Sequence, residues 1–468
     1  MTHRGRAASA AVILSTTFAL TLSASDPGVT LIGRGLIPGD AADLSGLQGS
    51  LICQRDDSTV CIDRATLGGL GSAVTYTGHD NVFLAVPDRG PFDGRTDVPY
   101  LDRFHFLYMT VDPSAAFPNI STRLLDTRFL KVGSLNLVGD AYAFDTSDPS
   151  ATRRFDPEGV AVSRDGYFFV SDEYGPYINK FNRQGHLVQR IPVPSKFLLA
   201  DPPLGNASGD LDSAGNSWEL YPSFNVMGRQ ANRGMEGLAI TPDGTWLVGI
   251  MQNALIQDHG LNSAVPPGRV GVNNRILTYN LETGETHEYV YVMDAITQGR
   301  GVNEMLAVND HEFLVLERDN RTLVPTPPNA SQTPNLKRIY RIDLSKAGLT
   351  DVSDVPGLPT TSAELTTMGI VPVTKTLFID LLSADYKVDA TRTIKDVIAE
   401  KIEGLAWGPD LPDGRHVLYV MSDNDLYPGL PTQICAFAID GGLAGIHYQA
   451  QQLPDPLFPP GQVKKALR

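Results

Sequence analysis

The sequence predicts an all-β protein and, within that class, a β-propeller. A pattern of acidic turn, apolar strand, tight turn, apolar strand and second acidic turn occurs five times along the chain, and two further strand-like segments follow each copy. Glycine (44) and proline (33) are abundant, as many short strands joined by turns require. Four-stranded antiparallel units repeated around an axis form a propeller.

The clearest copy is RFDPEGVAVSRDGYFFVSDEYGP at residues 154–176. Its two apolar runs are separated by Asp165-Gly166, a two-residue turn typical of a β-hairpin. Carboxylates precede the first run and follow the second. The other copies lie at residues 70–92, 234–254, 302–321 and 401–425. All five have the same polarity, which favours a propeller over a β-sandwich or two separate β-domains.

The spacing of the copies predicts six blades of four strands, within a range of five to seven. We expect strands around 29–37 and 50–62 to complete the sixth blade. One segment, ATRTIKDVIAE at 390–400, has the spacing of a short amphipathic helix.

The N-terminus has the features of a secretion signal. Arg4 and Arg6 precede an apolar segment at 10–22, and the small residues at 23–25 offer a cleavage site. The apolar segment is shorter than the roughly 20 residues that a transmembrane helix needs, although an uncleaved anchor is the alternative. We expect residues 1–25 to be a signal peptide, residues 26–468 to be one propeller domain without a membrane span, and the protein to be secreted into a periplasm or the medium.

An oxidising compartment bears on the three cysteines. Cys53 and Cys61 flank a polar loop and would pair there as a disulfide. Cys435 lies in an apolar run and is expected to be a buried free thiol.

The net charge of −15 disfavours nucleic acid and anionic membranes as partners. It would also repel an anionic substrate, unless bound cations reversed the local field. We expect a monomer that acts on a small-molecule ester or phosphoester.

The first acidic turns should meet at one end of the channel, because the first strand of every propeller blade lines the axis. Carboxylates brought together repel one another, and Ca²⁺ relieves the repulsion with six to eight oxygen ligands. These turns contain no histidine or cysteine, which disfavours zinc and copper. The predicted Ca²⁺ ligands are Glu158, Glu236, Glu304 and Glu403, with Asp88 and Asp423 from the second turns. The alternative is that the glutamates bond to backbone groups of the neighbouring blade.

The second turns supply the other candidate site residues. Asp172 or Glu173 could act as a catalytic base. Arginines beside the acids can bind a carboxylate or a phosphate, and the predicted substrate-binding residues are Arg89, Arg233 and Arg318. The motifs of α/β-hydrolases, zinc proteases, P-loop enzymes and dinucleotide-binding enzymes are absent from the sequence.

Several segments together resemble the phytase-like family, whose members are often labelled "esterase-like activity of phytase". The segments are DPEGVA, VSDEYGPYI, NRGMEGLAITPDG, LERDNR and KIEGLAW, and the likeness covers roughly residues 72–440. The resemblance implies a secreted propeller that hydrolyses phosphoesters or carboxyl esters. More distantly, Glu-Gly at the start of inner strands is similar to six-bladed calcium-dependent lactonases and gluconolactonases. The acidic and lysine-rich signature of calcium-dependent β-propeller phytases is missing.

Three functions therefore stay open. The first is a Ca²⁺-dependent hydrolase of phosphoesters or carboxyl esters, the second a lactonase. The third is a non-catalytic ligand-binding or scaffold propeller in which the acids serve blade-to-blade hydrogen bonds.

Overall fold

The structure is a computed structural model, and it describes residues 28–140, 143, 152–175, 177–198, 227–264, 267–294, 300–324, 331–453 and 456–467. The predicted signal peptide at 1–25 lies outside these residues, and so does Pro176 at the end of the clearest repeat copy.

Within the described residues, β-strands dominate. They are β1 Val29–Ile37, β2 Leu51–Gln54, β3 Asp57–Asp63, β4 Ala73–Tyr76, β5 Val82–Val86, β6 Arg103–Val111, β7 Ile120–Phe129, β8 Lys131–Val132, β9 Leu135–Asn136, β10 Pro157–Val162, β11 Tyr167–Asp172, β12 Ile178–Asn182, β13 Leu187–Ile191, β14 Met235–Ile240, β15 Trp246–Met251, β16 Asn273–Asn280, β17 Thr286–Val292, β18 Gly301–Ala307, β19 Glu312–Arg318, β20 Lys337–Asp343, β21 Lys375–Asp380, β22 Lys401–Trp407, β23 His416–Asp423 and β24 Thr432–Ile439. The α-helices are α1 Ser362–Thr367, α2 Gly441–Ala444 and α3 Pro460–Ala466, and short 3₁₀ turns lie at Pro91–Gly94, Ser195–Phe197, Ile256–Asp258 and Ile394–Asp396.

Most of the strands form four-stranded antiparallel sheets in the order of the chain. The sheets are β4-β5-β6-β7, β10-β11-β12-β13, β14-β15-β16-β17, β18-β19-β20-β21 and β22-β23-β24-β1. Their first strands contact one another in a closed ring, in the order β4, β10, β14, β18, β22 and back to β4. The predicted propeller is confirmed. The described residues contain five blades, inside the predicted range and one fewer than the six expected.

The N-terminal strands explain the difference in blade number. Instead of starting a sixth blade, β1 pairs antiparallel with β24, from Val29 opposite Ile439 to Ile37 opposite Thr432. The last blade has three strands from the C-terminal part of the chain, and β1 covers the edge that they leave exposed. The other segment forms the separate hairpin β2–β3, in which the predicted disulfide joins Cys53 and Cys61.

The core lies between neighbouring blades. Phe169 and Ile178 of the β10–β13 blade pack with Met235, Leu238 and Leu277 of the β14–β17 blade. A blade is covered on both faces, so β10 and β14 are buried along their whole length and show no alternation of buried and exposed residues. This is why the segments that follow Glu158 and Glu236 in these strands contain no polar side chain.

The helix predicted at 390–400 is wrong. The segment contains only the 3₁₀ turn Ile394–Asp396, closed by reciprocal hydrogen bonds between Thr393 and Asp396. The backbone beyond it is held by another strand, because the Gln433 side chain donates to the Val397 carbonyl and accepts from the Ala399 amide. These tertiary bonds outweigh a weak helical preference.

Among the helices that the structure describes, none is long and apolar enough to cross a membrane.

Candidate functional site

Four of the five inner strands have an irregularity in their pairing close to the same end of the channel. In β14, Met235 lies opposite Met251 and Gly237 opposite Ile250, so Glu236 has no partner of its own. Equivalent shifts occur in β10, β18 and β22. An extra residue of this kind bends the strand and re-aims its side chain. The residues at these shifts are Glu158, Glu236, Asn303 and Glu403.

The β18 blade differs from the sequence prediction by one position. Its shift falls between Val302 and Glu304, so Asn303 is the equivalent of the other three glutamates. Glu304 instead accepts hydrogen bonds from the amides of Met305 (2.8 Å) and Leu238 (3.3 Å). The apolar residues could have shown this, because Met305 takes the place of the residue that follows Glu-Gly in three other copies, which is Val160, Leu238 or Leu405.

The glycine of each Glu-Gly pair has a structural reason. A Cβ on Gly237 would lie 2.5 Å from the backbone nitrogen of Met305 in the next inner strand. A Cβ on Gly159 would likewise meet the backbone of Leu238, and one on Gly404 would lie 2.9 Å from Val74. In each Glu-Gly pair, the glycine therefore allows inner strands to approach closely, and the glutamate lines the axis.

A polar cavity of about 130 Å³ lies at this end of the axis. Eight of the eleven predicted catalytic, substrate-binding and metal-binding residues line it: Asp88, Arg89, Glu158, Glu173, Arg233, Glu236, Arg318 and Glu403. Asp172, Glu304 and Asp423 do not. The lining residues that the sequence reasoning missed are Asp93, Asn232, Gln252, Asn303, Asn320 and Lys401. Most of these are amides, which no charge pattern singles out.

Arg89 is held by carboxylates on three sides. Its Nη1 lies 2.8 Å from Asp156 Oδ2 and 3.2 Å from Glu173 Oε2, and its Nη2 lies 2.9 Å from Asp93 Oδ1. Asp156 also accepts the backbone amide of Arg89 at 3.0 Å. Such charge-assisted bonds fix both the arginine and Glu173 at the cavity wall.

Arg318 and Arg233 differ in how many of their guanidinium nitrogens have a hydrogen-bond or ion-pair partner. Arg318 forms an ion pair with Glu403 through Nη2 and donates to Asn320 Oδ1 at 2.5 Å through Nη1. Arg233 donates to the carbonyl oxygen of Asn232 at 2.5 Å. Within the described part of the chain, Arg233 forms no ion pair, and its Nε has no hydrogen-bond partner.

Glu236 is oriented by two amides. Gln252 Nε2 and Asn303 Nδ2 donate to its Oε1 at 2.5 and 2.9 Å. Its Oε2 is buried and has no hydrogen-bond partner in the described residues. Three other oxygens are likewise buried and have no hydrogen-bond partner in the described residues: Gln252 Oε1, Asn303 Oδ1 and Glu173 Oε1. Buried polar atoms are normally satisfied, so this concentration of oxygens around one cavity points to a bound group.

Two carboxylate clusters flank the mouth. Asp156, Glu158 and Glu173 can place one oxygen each within 4.8 Å of one another, and so can Asp88, Asp423 and Asp425. The second cluster already contains a cation, because Lys401 Nζ lies 3.4 Å from Asp423 Oδ2 and closer still to Asp425 Oδ1.

Asp172 performs a structural task. Its Oδ1 accepts the backbone amides of Asp156 and Tyr174, both at 3.1 Å, and so shapes the turn that presents Glu173. Burial raises the pKa of Asp172 to about 7.

Burial dominates the electrostatics of the mouth. It raises the pKa of Glu158 well above the usual range, and Glu236 adds to the effect. Burial and the carboxylate of Glu173 likewise raise the pKa of Glu236. The pKa of Asp88 is raised to about 6 by burial against the opposing charge of Arg89. The carboxylates would lose this mutual repulsion if a cation lay between them.

The donor set fits a hard cation. Carboxylate and amide oxygens are the ligands that Ca²⁺ takes, and the cavity presents both kinds. Of the residues that the structure describes, no histidine or cysteine lines the cavity, and the predicted ligand set contains none either.

Comparisons with known proteins agree with the motifs. The family model described as "Phytase-like: Esterase-like activity of phytase" matches residues 65–426. An "Uncharacterized secreted protein" of Arthroderma benhamiae is 28% identical over 359 residues, which are 62% of this chain and 63% of that protein. The aligned part is thus less than two thirds of that relative's length.

Solved structures give a weaker likeness. A luciferin-regenerating enzyme is 12% identical, with coverage of 82% of this chain and 95% of that one and a TM-score of 0.32. Regucalcin, described as a calcium-binding protein from Agrobacterium tumefaciens, is 11% identical, with coverage of 84% and 95% and a TM-score of 0.33. Similarity this low carries no argument about function.

Proposed function

This chain belongs to the phytase-like family, and from that premise we propose that it is a Ca²⁺-dependent hydrolase of small ester substrates, which it binds at the axial mouth of the propeller. The observation that carries the proposal is the group of buried, unpartnered oxygens around one cavity, on Glu173, Glu236, Gln252 and Asn303. Both phosphoesters and carboxyl esters fall within the family description.

In this proposal, Glu158 and Glu236 hold the metal with the amide oxygens of Asn303 and Gln252. A Ca²⁺ ion bound there would supply a Lewis acid for the scissile group. Gln252 and Asn303 keep Glu236 oriented through Oε1, which leaves Oε2 for the ion. The predicted ligands Glu304, Glu403, Asp88 and Asp423 are engaged by backbone amides, an arginine or Lys401, and we leave them out of this set.

Of the two candidate bases, we assign the role to Glu173. Its Oε2 is fixed by Arg89, and its Oε1 has no hydrogen-bond partner within the described part of the chain. Asp172 is committed to backbone amides. Arg233, whose guanidinium is the least engaged of the three, is assigned to a substrate oxygen, while Arg89 and Arg318 position carboxylates.

We also propose that the protein is secreted as one propeller domain after loss of residues 1–25. The name of the fungal relative supports secretion, and the Cys53–Cys61 disulfide fits an oxidising compartment.

A non-catalytic propeller is the competing proposal, and the bonds of Glu304 and Asp172 to backbone amides favour it. One experiment distinguishes the hydrolase proposal from the non-catalytic one. Purified protein is stripped with a Ca²⁺ chelator and reloaded, and its thermal stability and hydrolysis of aryl esters are measured in both states, with Glu158→Gln as the comparison. The hydrolase proposal expects reversible loss of activity and no rescue in the variant. Unchanged thermal stability and activity after chelation would contradict the hydrolase proposal.

A further inference from the structure

The charge of the mouth limits what the cavity can bind. Six carboxylates and four cationic side chains line it, an excess of two negative charges when all are ionised. A substrate with negative charges of its own would need further cations. They could come from the arginines or from metal ions, and the structure restricts both sources.

The arginines offer little free charge. The terminal nitrogens of Arg89 donate to three carboxylates, and those of Arg318 are taken by Glu403 and Asn320. In the described residues, Arg233 alone among the three has no carboxylate partner. One guanidinium can bind one oxyanion through two parallel bonds, whereas a phosphate dianion in a buried site needs more compensation.

Among the described residues, one position is open to a metal ion: the set of Glu158, Glu236, Gln252 and Asn303 that the proposed function assigns to Ca²⁺. The adjoining cluster of Asp156, Glu158 and Glu173 shares Glu158 with that set, and its other two carboxylates are paired with Arg89. The cluster of Asp88, Asp423 and Asp425 contains the ammonium of Lys401. A second divalent ion would have to displace that lysine. One Ca²⁺ would balance the excess charge of the lining and leave none for a dianion.

The size of the cavity agrees with this limit. A cavity of about 130 Å³ is small beside the roughly 300–1,000 Å³ of ordinary ligand pockets. An acyl ester group or a small lactone ring fits such a space, whereas a ring bearing several phosphates would extend beyond it.

We propose that the site hydrolyses carboxyl esters or lactones whose scissile group is uncharged, with at most one additional oxyanion held by Arg233, and that phosphomonoesters are not substrates. The inference rests on the proposed hydrolase function. Water forms a bond to the carbonyl carbon and gives a proton to Glu173, the bond to the leaving oxygen breaks, and that oxygen receives the proton. One ester and one water yield one acid and one alcohol.

The test uses three substrates with the same leaving group and different charge. They are p-nitrophenyl acetate (neutral), mono-p-nitrophenyl succinate (one negative charge) and p-nitrophenyl phosphate (up to two). The Ca²⁺-loaded wild-type protein should hydrolyse the first two, and its turnover of the phosphate should not exceed that of a chelated blank. Arg233→Gln should lower kcat/KM for the succinate ester at least tenfold more than for the acetate. Arg415→Gln is the matched control, because Arg415 is partly exposed, pairs with Asp413 and is not among the residues that line the mouth.

The bound calcium is counted in the same samples, and we expect one ion per chain. Ca²⁺-dependent turnover of the phosphate, or two ions per chain, would overturn the substrate class while the proposed hydrolase function survives. An equal loss on both carboxyl esters in Arg233→Gln would overturn the role of Arg233. If none of the three substrates is hydrolysed, or if Glu236→Gln is as active as wild type on all of them, the hydrolase function itself fails.

Discussion

Asn303 donates its side-chain amide to Glu236 Oε1 at 2.9 Å and leaves Oε2 of that carboxylate without a partner. The two residues occupy equivalent positions in adjacent blades, each at the irregularity of its inner strand. The propeller symmetry thus places an amide where three other blades place glutamate. The amide orients its neighbour, which a fourth glutamate would repel.

Glu236→Gln should weaken Ca²⁺ binding by at least tenfold, because the change removes the charge and the free oxygen that face the cavity. Glu304→Gln is the matched control: Glu304 lies on the neighbouring inner strand β18 outside the cavity lining, and glutamine can still accept the amides of Met305 and Leu238. Isothermal titration of both chelated variants measures the difference. Equal affinities in the two variants would show that Glu236 is not a ligand.

Gly237→Ala should destabilise the fold by about 1–3 kcal/mol, the usual range for overpacking. Its new Cβ would lie 2.5 Å from Met305 N and 2.7 Å from the carbonyl carbon of Glu304, both backbone atoms. Gly429→Ala, where a Cβ meets nothing within 4 Å, should change stability far less. Urea unfolding of the two variants measures the free energy, and similar values would contradict the tight approach of β14 to β18.

The propeller architecture was predictable because each copy of the repeat consists of apolar runs separated by turns, which the sequence shows directly. All five predicted copies became the inner two strands of a blade. The number of blades was not predictable from the N-terminal strands, since β1 and a strand of a new blade have the same sequence pattern. Only the edge left open by β24, which pairs Ile439 with Val29 and Thr432 with Ile37 from the far end of the chain, determines where β1 pairs.

Most of the charged residues of the cavity were predicted from the sequence, and its neutral residues were not. Repetition singled out Glu158, Glu236 and Glu403, which line the cavity, but Asn303 was hidden because its neighbour Glu304 completed the apparent series. Lys401 was also missed, because a lysine at the start of an inner strand has no evident role until the fold brings three aspartates near it. Register at one bulge and contacts between distant turns are the two things that a linear pattern does not contain.

Removal of residues 28–37 should leave a protein that aggregates. The deletion uncovers β24, an apolar strand, and exposes its backbone hydrogen-bonding groups as a new edge. Size-exclusion chromatography of the truncated and full-length proteins compares the soluble monomeric fractions. A truncated monomer with the same unfolding midpoint as the full chain would show that completion of the last blade by β1 contributes little to stability.

His105 should make the fold sensitive to acid between pH 6.5 and about 3. It is fully buried, with Nδ1 3.0 Å from Thr127 Oγ1, and its Nε2 has no partner in the described residues. Burial lowers its pKa to about 3; the nearby charge of Asp43 opposes the shift and that of Arg103 supports it. The unfolded chain takes up the proton near pH 6.5 and the folded chain does not.

The sign follows from which state binds the proton. Below pH 6.5 the unfolded state binds more, so the free energy of unfolding contributed by His105 falls by about 1.4 kcal/mol per pH unit until the folded pKa is reached, and above pH 6.5 the contribution is constant. His105→Gln should remove this slope from urea unfolding measured at pH 7, 6, 5 and 4, whatever its effect at pH 7. His186→Gln, at a partly exposed histidine, should retain it. An unchanged slope in His105→Gln would mean that other groups govern the acid sensitivity. The buried carboxyls of the mouth are not those groups, because a carboxyl whose pKa is raised in the folded state, such as Asp88, increases the free energy of unfolding as the pH falls.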